Sequence, residues 1–426
     1  MRNSTISILL QALVTVLFCF PLSVKAKIDS ISFIKIADTS MKMPGKNVLF
    51  AGFGYNPAMD GDDVVFYGKS HNFTYQAIYR SDGSTINIEA DQTTPIPQGI
   101  GNFQSFGLPD GNNLRSAFVA RGSDSQEGIY SVSSGQTNLI VDLNTPIPGG
   151  GSFRDFGYPN LFEDQTVFWG QNTSFQRAIF KHDSSNGLAV IADVNTLHPS
   201  GTANFTSFSS PSVYQNLIAY YGFSSAGKGL YLFDQSNSVL HTIADTNTTV
   251  PGSTNLFTGF TGQNDIHEER IAYYGNSSNG SGIYLYDHTN QVHAVVVDST
   301  TTIPGFQVQF IGFRDPVISK SMIAFMGFGP HDQGDGIYAE FGEGIETIIQ
   351  VGQQLDGRTI SKLDLESWSV DKNRLAFYAE FTNGHKGVYL ADITLIQEPE
   401  EEIPLPFPAL VILASLLMTL GIIKAR

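Results

Sequence analysis

One pattern recurs seven times along the chain, and this periodicity constrains the fold more than any other feature. Phe-x-x-Phe occurs six times at intervals of 50 to 53 residues, and Leu365/Trp368 forms a degenerate seventh copy. The six copies begin at Phe50, Phe103, Phe153, Phe205, Phe257 and Phe310. A fixed period of this length indicates a repeat architecture in which each unit buries its faces against its neighbours.

Two further markers recur with the same period. One is an aliphatic residue followed by an aromatic residue: Ile78-Tyr79, Ile129-Tyr130, Ile179-Phe180, Leu230-Tyr231, Ile283-Tyr284, Ile337-Tyr338 and Val388-Tyr389. The other is an aspartate that leads into a turn: Asp38, Asp91, Asp142, Asp193, Asp245 and Asp298, with Gln350 in the last copy. Three independent markers therefore agree on seven units.

Each unit predicts four short strands. The unit from Asn204 to Pro251 contains four aromatic or β-branched segments bounded by Gly, Ser, Asn or Pro: FTSFSSPSVYQ, NLIAYYG, GLYLFDQ and SVLHTIADTNTTVP. No window is long enough for an amphipathic helix. Four-stranded repeats of this length are typical of propeller blades. We therefore predict an all-β, seven-bladed β-propeller of four-stranded blades over residues 27–396.

The order of a polar turn, an apolar pair with an aromatic, and then Ile-Tyr resembles the blade units of TolB-type propellers over residues 28–396. The Ser-Pro-Asp-Gly turn of that family is absent, as are Kelch and WD signatures. The resemblance implies an architecture and no particular activity.

The two ends of the repeat region predict a closed ring. The last unit lacks its fourth strand, and the first segment of the mature chain, IDSISFIKIADTSMKMPG, has the pattern of that strand. We predict that Ile31–Ala37 pairs beside Val388–Ile393 and joins the first blade to the seventh. Closure of this kind removes the exposed strand edges that favour aggregation.

The first 26 residues predict a secretory signal peptide. Arg2 precedes an apolar run, and Val24 and Ala26 occupy the small-residue positions before the expected cut. A lipoprotein signal at Cys19 is the alternative, although Phe18 stands where such signals need a small residue. Removal of the signal leaves no cysteine, so neither disulfides nor thiolate metal sites are expected.

The C-terminal end predicts an anchor. Residues 397–406 form an acidic, proline-containing linker, and residues 407–426 form an anchor segment: an uncharged stretch from Phe407 to Ile423, followed by Lys424 and Arg426. The stretch is at the short limit for a membrane-spanning helix, and its basic end favours an exported propeller.

Within this linker, Ile403-Pro404-Leu405-Pro406 resembles the opening of PEP-CTERM sorting tags of Gram-negative bacteria, in their VPLPA-like variant. The resemblance implies a sorting protease as a partner and a location at the cell surface or outer envelope. A plain anchor helix is the alternative.

The repeated residues have structural explanations. The two aromatics of Phe-x-x-Phe are three positions apart, so we predict that they face opposite sides of a strand and pack in the core. Each repeated aspartate is expected to accept hydrogen bonds from turn amides. A ring of calcium sites is the alternative, but one carboxylate per turn falls short of the six to eight oxygens that calcium takes.

Residues that break the repeat are the better candidates for a site. His267-Glu268-Glu269-Arg270 predicts a solvated turn, and His331, Asp332 and Asp335 share a loop that supplies too few ligands for a metal on its own. Arg80–Thr85 loosely resembles the Asp-box turn of sialidases, but it occurs once, and we predict a hairpin turn there.

Two Arg-Asp pairs lie within or just after the Phe-x-x-Phe strand, which we predict to be the innermost strand of each blade. They are Arg154-Asp155 and Arg314-Asp315. Salt bridges lining the central channel are the simplest expectation for both pairs.

The composition argues against several function classes. The 24 Lys and Arg residues against 40 Asp and Glu give a net charge of −16 without a basic run, which disfavours nucleic acid as a partner. Gly-x-Ser-x-Gly, His-Glu-x-x-His and phosphate-loop motifs are absent from the sequence. We therefore assign no catalytic, cofactor-binding or metal-binding residue, and we expect no cofactor.

These observations favour a non-enzymatic binding or scaffold module, exported and anchored at the cell envelope, with an exopolysaccharide or matrix component as the first ligand to test. One alternative is a propeller glycosidase or lyase that uses Asp155 or Asp315 at the channel mouth. Another is a TolB-like envelope protein that grips a peptide partner at its channel face.

Overall fold

Short apolar segments separated by Gly, Asn and Asp turns form seven antiparallel sheets in a computed structural model of the chain. The structure describes residues 26–397, except for residues 56, 343, 366 and 367. The chain divides into two units, and the larger one, residues 28–395, holds the seven sheets. The smaller unit consists of the two chain ends, of which only residues 26, 27, 396 and 397 are described.

The sheets follow the chain as seven blades. Blade 1 comprises Gly52–Phe53, Ala58–Asp60, Asp63–Lys69, Gln76–Ser81 and Ile86–Asp91. Blade 2 comprises Ser105–Asn112, Arg115–Arg121, Glu127–Ser133 and Gln136–Asp142. Blade 3 comprises Phe153–Phe156, Asn160–Phe162, Gln165–Asn172, Arg177–Asp183 and Gly187–Ala192. Blade 4 comprises Phe205–Tyr214, Leu217–Ser224, Lys228–Asp234 and Val239–Asp245.

The remaining blades have the same antiparallel order. Blade 5 comprises Phe257–Gly259, Asn264–His267, Arg270–Ser277, Gly280–Asp287 and Val292–Asp298. Blade 6 comprises Gly312–Ile318, Ile323–Phe328, Gly336–Glu340 and Ile345–Gln350. Blade 7 comprises Gln354–Leu355, Arg358–Asp364, Val370–Asp371, Arg374–Phe381, Lys386–Gln397 and, from the other end of the chain, Ala26–Asp38. Two short 3₁₀ helices, His71–Phe73 and Pro330–Asp332, lie in loops.

The prediction of an all-β, seven-bladed propeller with four-stranded blades is confirmed. The first strand of blades 1, 3, 5 and 7 is split into two segments that pair with the same second strand. Residues from the inner strand or its loop in all seven blades line one central cavity, which places these strands around the channel.

The predicted closure is also present. Ala26–Asp38 pairs with Lys386–Gln397 as the outermost strand of blade 7, and the backbone N–H of Thr39 donates to the carbonyl of Lys386 at 3.0 Å. Ile36 and Ala37 are buried in a cluster that joins side chains of blade 7 to side chains of blade 1. The two ends of the repeat region are therefore held in one sheet.

Packing between blades explains the repeated aromatics, although not with the predicted orientation. Both rings of each Phe-x-x-Phe pair are buried, and their centroids lie only 4.9 to 5.5 Å apart. The prediction that they face opposite sides is wrong. Register shifts between the two aromatics, seen in blades 3, 4 and 5, place an extra residue between them, so both rings enter the same interface between blades.

The prediction that Leu365 and Trp368 form the seventh copy of this motif is wrong. In blade 7, Ile360 and Leu363 occupy the places of the two phenylalanines, opposite Phe381 and Ala379 of the second strand. Leu365 and Trp368 follow that strand instead. The turn after Gln350 is two residues shorter than the turn after Asp298, which displaces the motif from the place that the period indicates.

The aspartate turns are built as predicted. In all six copies one carboxylate oxygen accepts the backbone N–H of the residue two positions on, at 2.7 to 3.0 Å. In five copies the threonine at the third position accepts the backbone N–H of that aspartate. The repeated carboxylates therefore hold the turns between blades.

The predicted signal peptide, acidic linker, sorting tag and anchor fall outside the described residues, apart from residue 26 and residue 397. Within the part of the chain that the structure describes, no helix has the length and apolar character needed to cross a membrane.

Candidate functional site

A ring of side chains at one position of the inner strand connects successive blades. The position is occupied, from blade 1 to blade 7, by Ala58, Asp110, Asn160, Ser212, Asp265, Val317 and Ser369. Most of the polar members bond to the next blade through their side chains. We call this set the channel ring.

The contacts of the channel ring are short and buried. The carboxylate of Asp110 accepts the N–H of Leu161 at 2.6 Å, and Asn160 accepts the N–H of Val213 at 2.5 Å. The carboxylate of Asp265 accepts the N–H of Ile318 at 2.9 Å. Each bond satisfies a backbone donor that would otherwise be buried without a partner.

Burial dominates the electrostatics of the two ring carboxylates. It raises the pKa of Asp265 to about 7, although the N–H groups of Ile318 and Ile266 oppose the shift. It also raises the pKa of Asp110 well above its usual range, against the N–H groups of Leu161 and Gly111. A carboxyl group with a raised pKa in a cleft is a candidate for acid–base catalysis. The hydrogen bonds that Asp110 and Asp265 accept from backbone N–H groups give both carboxylates a structural role instead.

Sequence reasoning did not find the channel ring. Its members are 50 to 53 residues apart, which is the period of the repeat, but their residue types vary from Ala to Asp. The only sequence signal for the ring is the spacing of its members. That spacing identifies the ring once the strand pairing shows that each member lies opposite the same position of the second strand of its blade.

The channel has a cavity at each end of the inner strands. One, of about 430 Å³, lies at the end where these strands finish, and residues of all seven blades line it. The other, of about 640 Å³, lies at the end where they begin, and residues of blades 2 and 3 line it together with Gln263 of blade 5. We call the second one the blade 2–3 cavity. Its lining is formed by Ser105, Phe106, Gly107, Val119, Ala120, Arg121, Glu127, Asp155, Phe156, Gly157, Tyr158, Trp169, Arg177 and Gln263.

Aromatic and cationic side chains meet in the blade 2–3 cavity. The guanidinium of Arg177 lies over the indole ring of Trp169, 4.1 Å from its centroid. The ring of Tyr158 is 47% exposed, so its aromatic surface is accessible. The side chain of Arg121 is 62% exposed, and its guanidinium donates to Glu127 at 2.8 Å.

The local backbone explains why these rings fit there. A Cβ atom at Gly157 would lie 2.1 Å from Nε1 of Trp169, so the indole packs directly against the glycine. The N–H of Gly157 donates to the carbonyl of Trp169 at 2.8 Å. The Gly-Tyr sequence at 157–158 therefore admits one large ring beneath the backbone and presents a second ring beside it.

The two predicted Arg-Asp pairs behave differently. Asp155 lines the blade 2–3 cavity and accepts the N–H of its neighbour Phe156 at 2.9 Å. Arg154 lies over the ring of Phe175, 4.0 Å from its centroid, and forms no described salt bridge. The expectation of a channel salt bridge is therefore wrong for this pair, because the arginine has an aromatic partner.

Arg314 and Asp315 do form ion pairs. The Nε of Arg314 lies 2.5 Å from a carboxylate oxygen of Asp315, and its guanidinium also pairs with Asp364 of blade 7. Burial raises the pKa of Asp315 to about 7, while Arg314 opposes the shift and Asp364 adds to it. This cluster joins blades 6 and 7 and is not part of the blade 2–3 cavity.

The other candidates are turns. Glu268 and Glu269 are exposed between paired His267 and Arg270, as the solvated-turn prediction requires. Asp82 accepts the N–H groups of Ser84 and Thr85 in the predicted hairpin turn.

The loop at residues 330–336 does not gather metal ligands within the described chain: Asp335 accepts the N–H of Gly329, and His331 and Asp332 are not in the one group of converging ligand atoms. That group is Asp234, His241 and His288, between blades 4 and 5.

The sequence model of a family described as a family of unknown function, DUF7453, matches residues 25–402. The chain belongs to this family. No curated protein sequence matches it significantly. The DUF7453 match covers all seven blades.

Solved structures that resemble this DUF7453 chain are propeller proteins. One of two prolyl endopeptidases matches with a TM-score of 0.51 and 12% identity, over 82% of this chain and 48% of that one. The β-propeller domain of the Trilobed protease from Pyrococcus furiosus, described as having an open velcro topology, matches with a TM-score of 0.51 and 12% identity, over 85% of this chain and 99% of that one. TolB from Acinetobacter baumannii matches with a TM-score of 0.35 and 11% identity, over 90% and 67% of the two chains.

These identities show the fold alone. The chain spans about half the length of the prolyl endopeptidase it matches.

Proposed function

We propose that this chain is a non-enzymatic glycan-binding module, exported and held at the cell envelope by its C-terminal segment, and that it binds an extracellular polysaccharide in the blade 2–3 cavity. The observation that carries the proposal is the lining of that cavity, where Tyr158, Trp169, Arg121 and Arg177 meet around about 640 Å³. This volume is within the usual range for a small-molecule site.

The aromatic rings supply the apolar part of such a site. Sugar rings present C–H faces that pack against aromatic surfaces, while their hydroxyl groups need polar partners at the edge of the ring. Tyr158 offers an exposed ring, and Asp155, Glu127 and Gln263 offer polar atoms around the same space. An amphipathic ring of this kind contributes a large contact area with little loss of side-chain entropy.

Arg177 favours an acidic glycan. Two arginines and two carboxylates, Glu127 and Asp155, line the cavity, and Arg121 is paired with Glu127 at 2.8 Å. Among the described contacts, the guanidinium of Arg177 has the Trp169 ring as its partner and no carboxylate. A planar guanidinium binds a carboxylate through two parallel hydrogen bonds, so a uronic acid residue is the sugar that we expect at this position.

The test is binding of immobilised acidic and neutral polysaccharides by the purified chain. Trp169→Ala and Arg177→Ala are expected to weaken binding of the acidic polysaccharide at least tenfold, because each removes a central contact. Tyr274→Ala is the matched control, since Tyr274 occupies the equivalent position on the second strand of blade 5 and is not part of the cavity lining. Unchanged binding by both cavity variants would contradict the proposal.

Three further experiments test the alternatives and the anchor. Turnover of a polysaccharide panel by the chain, abolished by Asp155→Asn, would replace the binding module by an enzyme. Recovery of a single envelope protein after crosslinking, without glycan binding, would replace it by a peptide-gripping partner. Fusion of residues 397–426 to a reporter protein tests the anchor. If the anchor is present, the reporter is expected to fractionate with the envelope.

A further inference from the structure

A cluster of metal-ligating side chains lies between blades 4 and 5, apart from the residues that line the blade 2–3 cavity. Asp234 ends the third strand of blade 4, His241 lies on its fourth strand, and His288 follows the third strand of blade 5. One ligand atom from each residue lies within 4.8 Å of the other two. We call this group the blade 4–5 cluster.

Two imidazole nitrogens in the cluster are buried without a partner. They are Nε2 of His241 and Nδ1 of His288, and no hydrogen bond in the described structure satisfies either of them. The two rings lie close to each other, with centroids 5.1 Å apart. Buried polar atoms are normally hydrogen-bonded, so two unpartnered nitrogens on neighbouring rings of one ligand group require an explanation.

The third ligand is already held in place. One carboxylate oxygen of Asp234 accepts the N–H and the hydroxyl of Ser236, at 2.9 and 2.6 Å. The other oxygen accepts the amide of Asn237 at 2.7 Å. Metal-binding carboxylates are oriented by this kind of surrounding hydrogen bond.

A neighbouring histidine gives a useful contrast. His293, on the fourth strand of blade 5, shares this interface, and its Nδ1 is bonded to the hydroxyl of Tyr273 at 2.9 Å. A histidine with a structural role here is therefore satisfied by a protein partner. His241 and His288 each keep a nitrogen without a partner, as His182 of blade 3 does, and they also lie in one group with a carboxylate.

We propose that Asp234, His241 and His288 bind a divalent first-row transition metal ion, with Zn²⁺ as the first candidate. Two imidazoles and one carboxylate are ligands that suit zinc, whereas calcium and magnesium take oxygen ligands. Ligands of a tetrahedral zinc ion are roughly 3.4 Å apart, so side-chain rotation brings the three atoms into range. Three protein ligands leave a fourth position for water or another ligand.

The metal would connect two blades. Asp234 and His241 belong to blade 4 and His288 belongs to blade 5, so an ion bound by all three is a crosslink between neighbouring sheets. An ion that binds only the folded ring stabilises it in proportion to the logarithm of its free concentration. The site lies outside the blade 2–3 cavity, so it is independent of glycan binding.

The test is calorimetric titration of the full chain with ZnCl₂ after treatment with EDTA, together with thermal melting at increasing zinc concentration. We expect one ion per chain and a melting temperature that rises with zinc. His241→Ala, His288→Ala and Asp234→Asn are each expected to weaken zinc binding at least tenfold. His71→Ala, which removes an exposed histidine of the 3₁₀ helix at residues 71–73, should bind like the parent chain.

Two results would overturn the proposal. One is the absence of stoichiometric zinc binding, and the other is equal affinity in the parent chain and the His241→Ala/His288→Ala double variant. Melting of each variant in EDTA shows whether it folds. If an alanine variant does not fold, the absorption spectrum of bound Co²⁺ in Asp234→Asn provides the second measurement, and a spectrum unchanged from the parent chain would also contradict the assignment.

Discussion

Asp265 and Asn160 occupy the same position of the inner strand in different blades, and both accept a hydrogen bond from the next blade. Asp265 accepts backbone N–H groups from its own blade and from blade 6, in a setting where burial raises its pKa to about 7. Blade 3 has Asn160 at the same position, and its amide oxygen accepts the next blade's N–H in the same way. The bond between blades therefore needs an acceptor and not a charge.

This comparison predicts the effect of Asp265→Asn. A carboxyl group whose pKa is raised on folding stabilises the folded state most at pH below its ordinary value of 3.8, and that stability is lost as the pH rises through about 7. The variant should therefore melt a few degrees above the parent chain at pH 8 and close to it at pH 5. Thermal melts at the two pH values provide the measurement.

Asn160→Asp is the reciprocal control for this prediction. It adds a buried carboxylate next to Asp110, whose oxygen already accepts the amide of Asn160 at 3.2 Å. It should lower the melting temperature more at pH 8 than at pH 5. The role assigned to burial would be contradicted if Asp265→Asn and the parent chain differed in melting temperature by the same amount at both pH values.

The strand Ala26–Asp38 is the element on which closure of the ring depends. Ile36 is 2% exposed and packs with residues of blades 1 and 7, and the side chain of Asp38 is bonded to Arg358 of blade 7 at 2.8 Å. Burial opposes ionisation of Asp38, but the hydroxyl of Ser40 and the guanidinium of Arg358 lower its pKa to about 2. The strand is thus held by both packing and charge.

Deletion of residues 27–40 is expected to lower the melting temperature strongly, because it opens the sheet of blade 7 and exposes the core shared with blade 1. Ile36→Ala should cost about 2–5 kcal/mol of unfolding free energy, as buried large-to-alanine changes do. Ser32→Ala, at an exposed position of the same strand, should change it by less than about 0.5 kcal/mol. Chemical unfolding measures both, and equal stabilities for the two point variants would contradict closure by this strand.

At the scale of the element, the sequence predicted the strands and turns well and their fine register poorly. The period, the four strands, the aspartate turns and the closing strand all follow from local patterns that every unit repeats. The orientation of pairs such as Phe153 and Phe156 was missed because a bulge adds a residue between them, and an alternating pattern does not show bulges. The motif of blade 7 was misplaced because Ile360 and Leu363 lack the aromatic signature.

At the scale of the whole molecule, the candidate sites could not be predicted because they combine residues from different units. Trp169 and Arg121 come from adjacent blades, and His241 and His288 do as well. Each looks like an ordinary variable position in its own repeat. Among the residues of the blade 2–3 cavity, only Asp155 was predicted as a site candidate, since it breaks the repeat within the innermost strand.

The central claim is that the ring binds glycan at the end of the channel between blades 2 and 3. Hydrogen–deuterium exchange of the full chain, with a uronic acid oligosaccharide and with a neutral glucan oligosaccharide as the control, tests it most directly. We predict that the acidic oligosaccharide slows exchange in residues 105–107, 119–121 and 155–158 and that the neutral one does so less. Protection at the opposite end of the channel, in residues 110–113 and 265–267, or no protection with either sugar, would contradict the account.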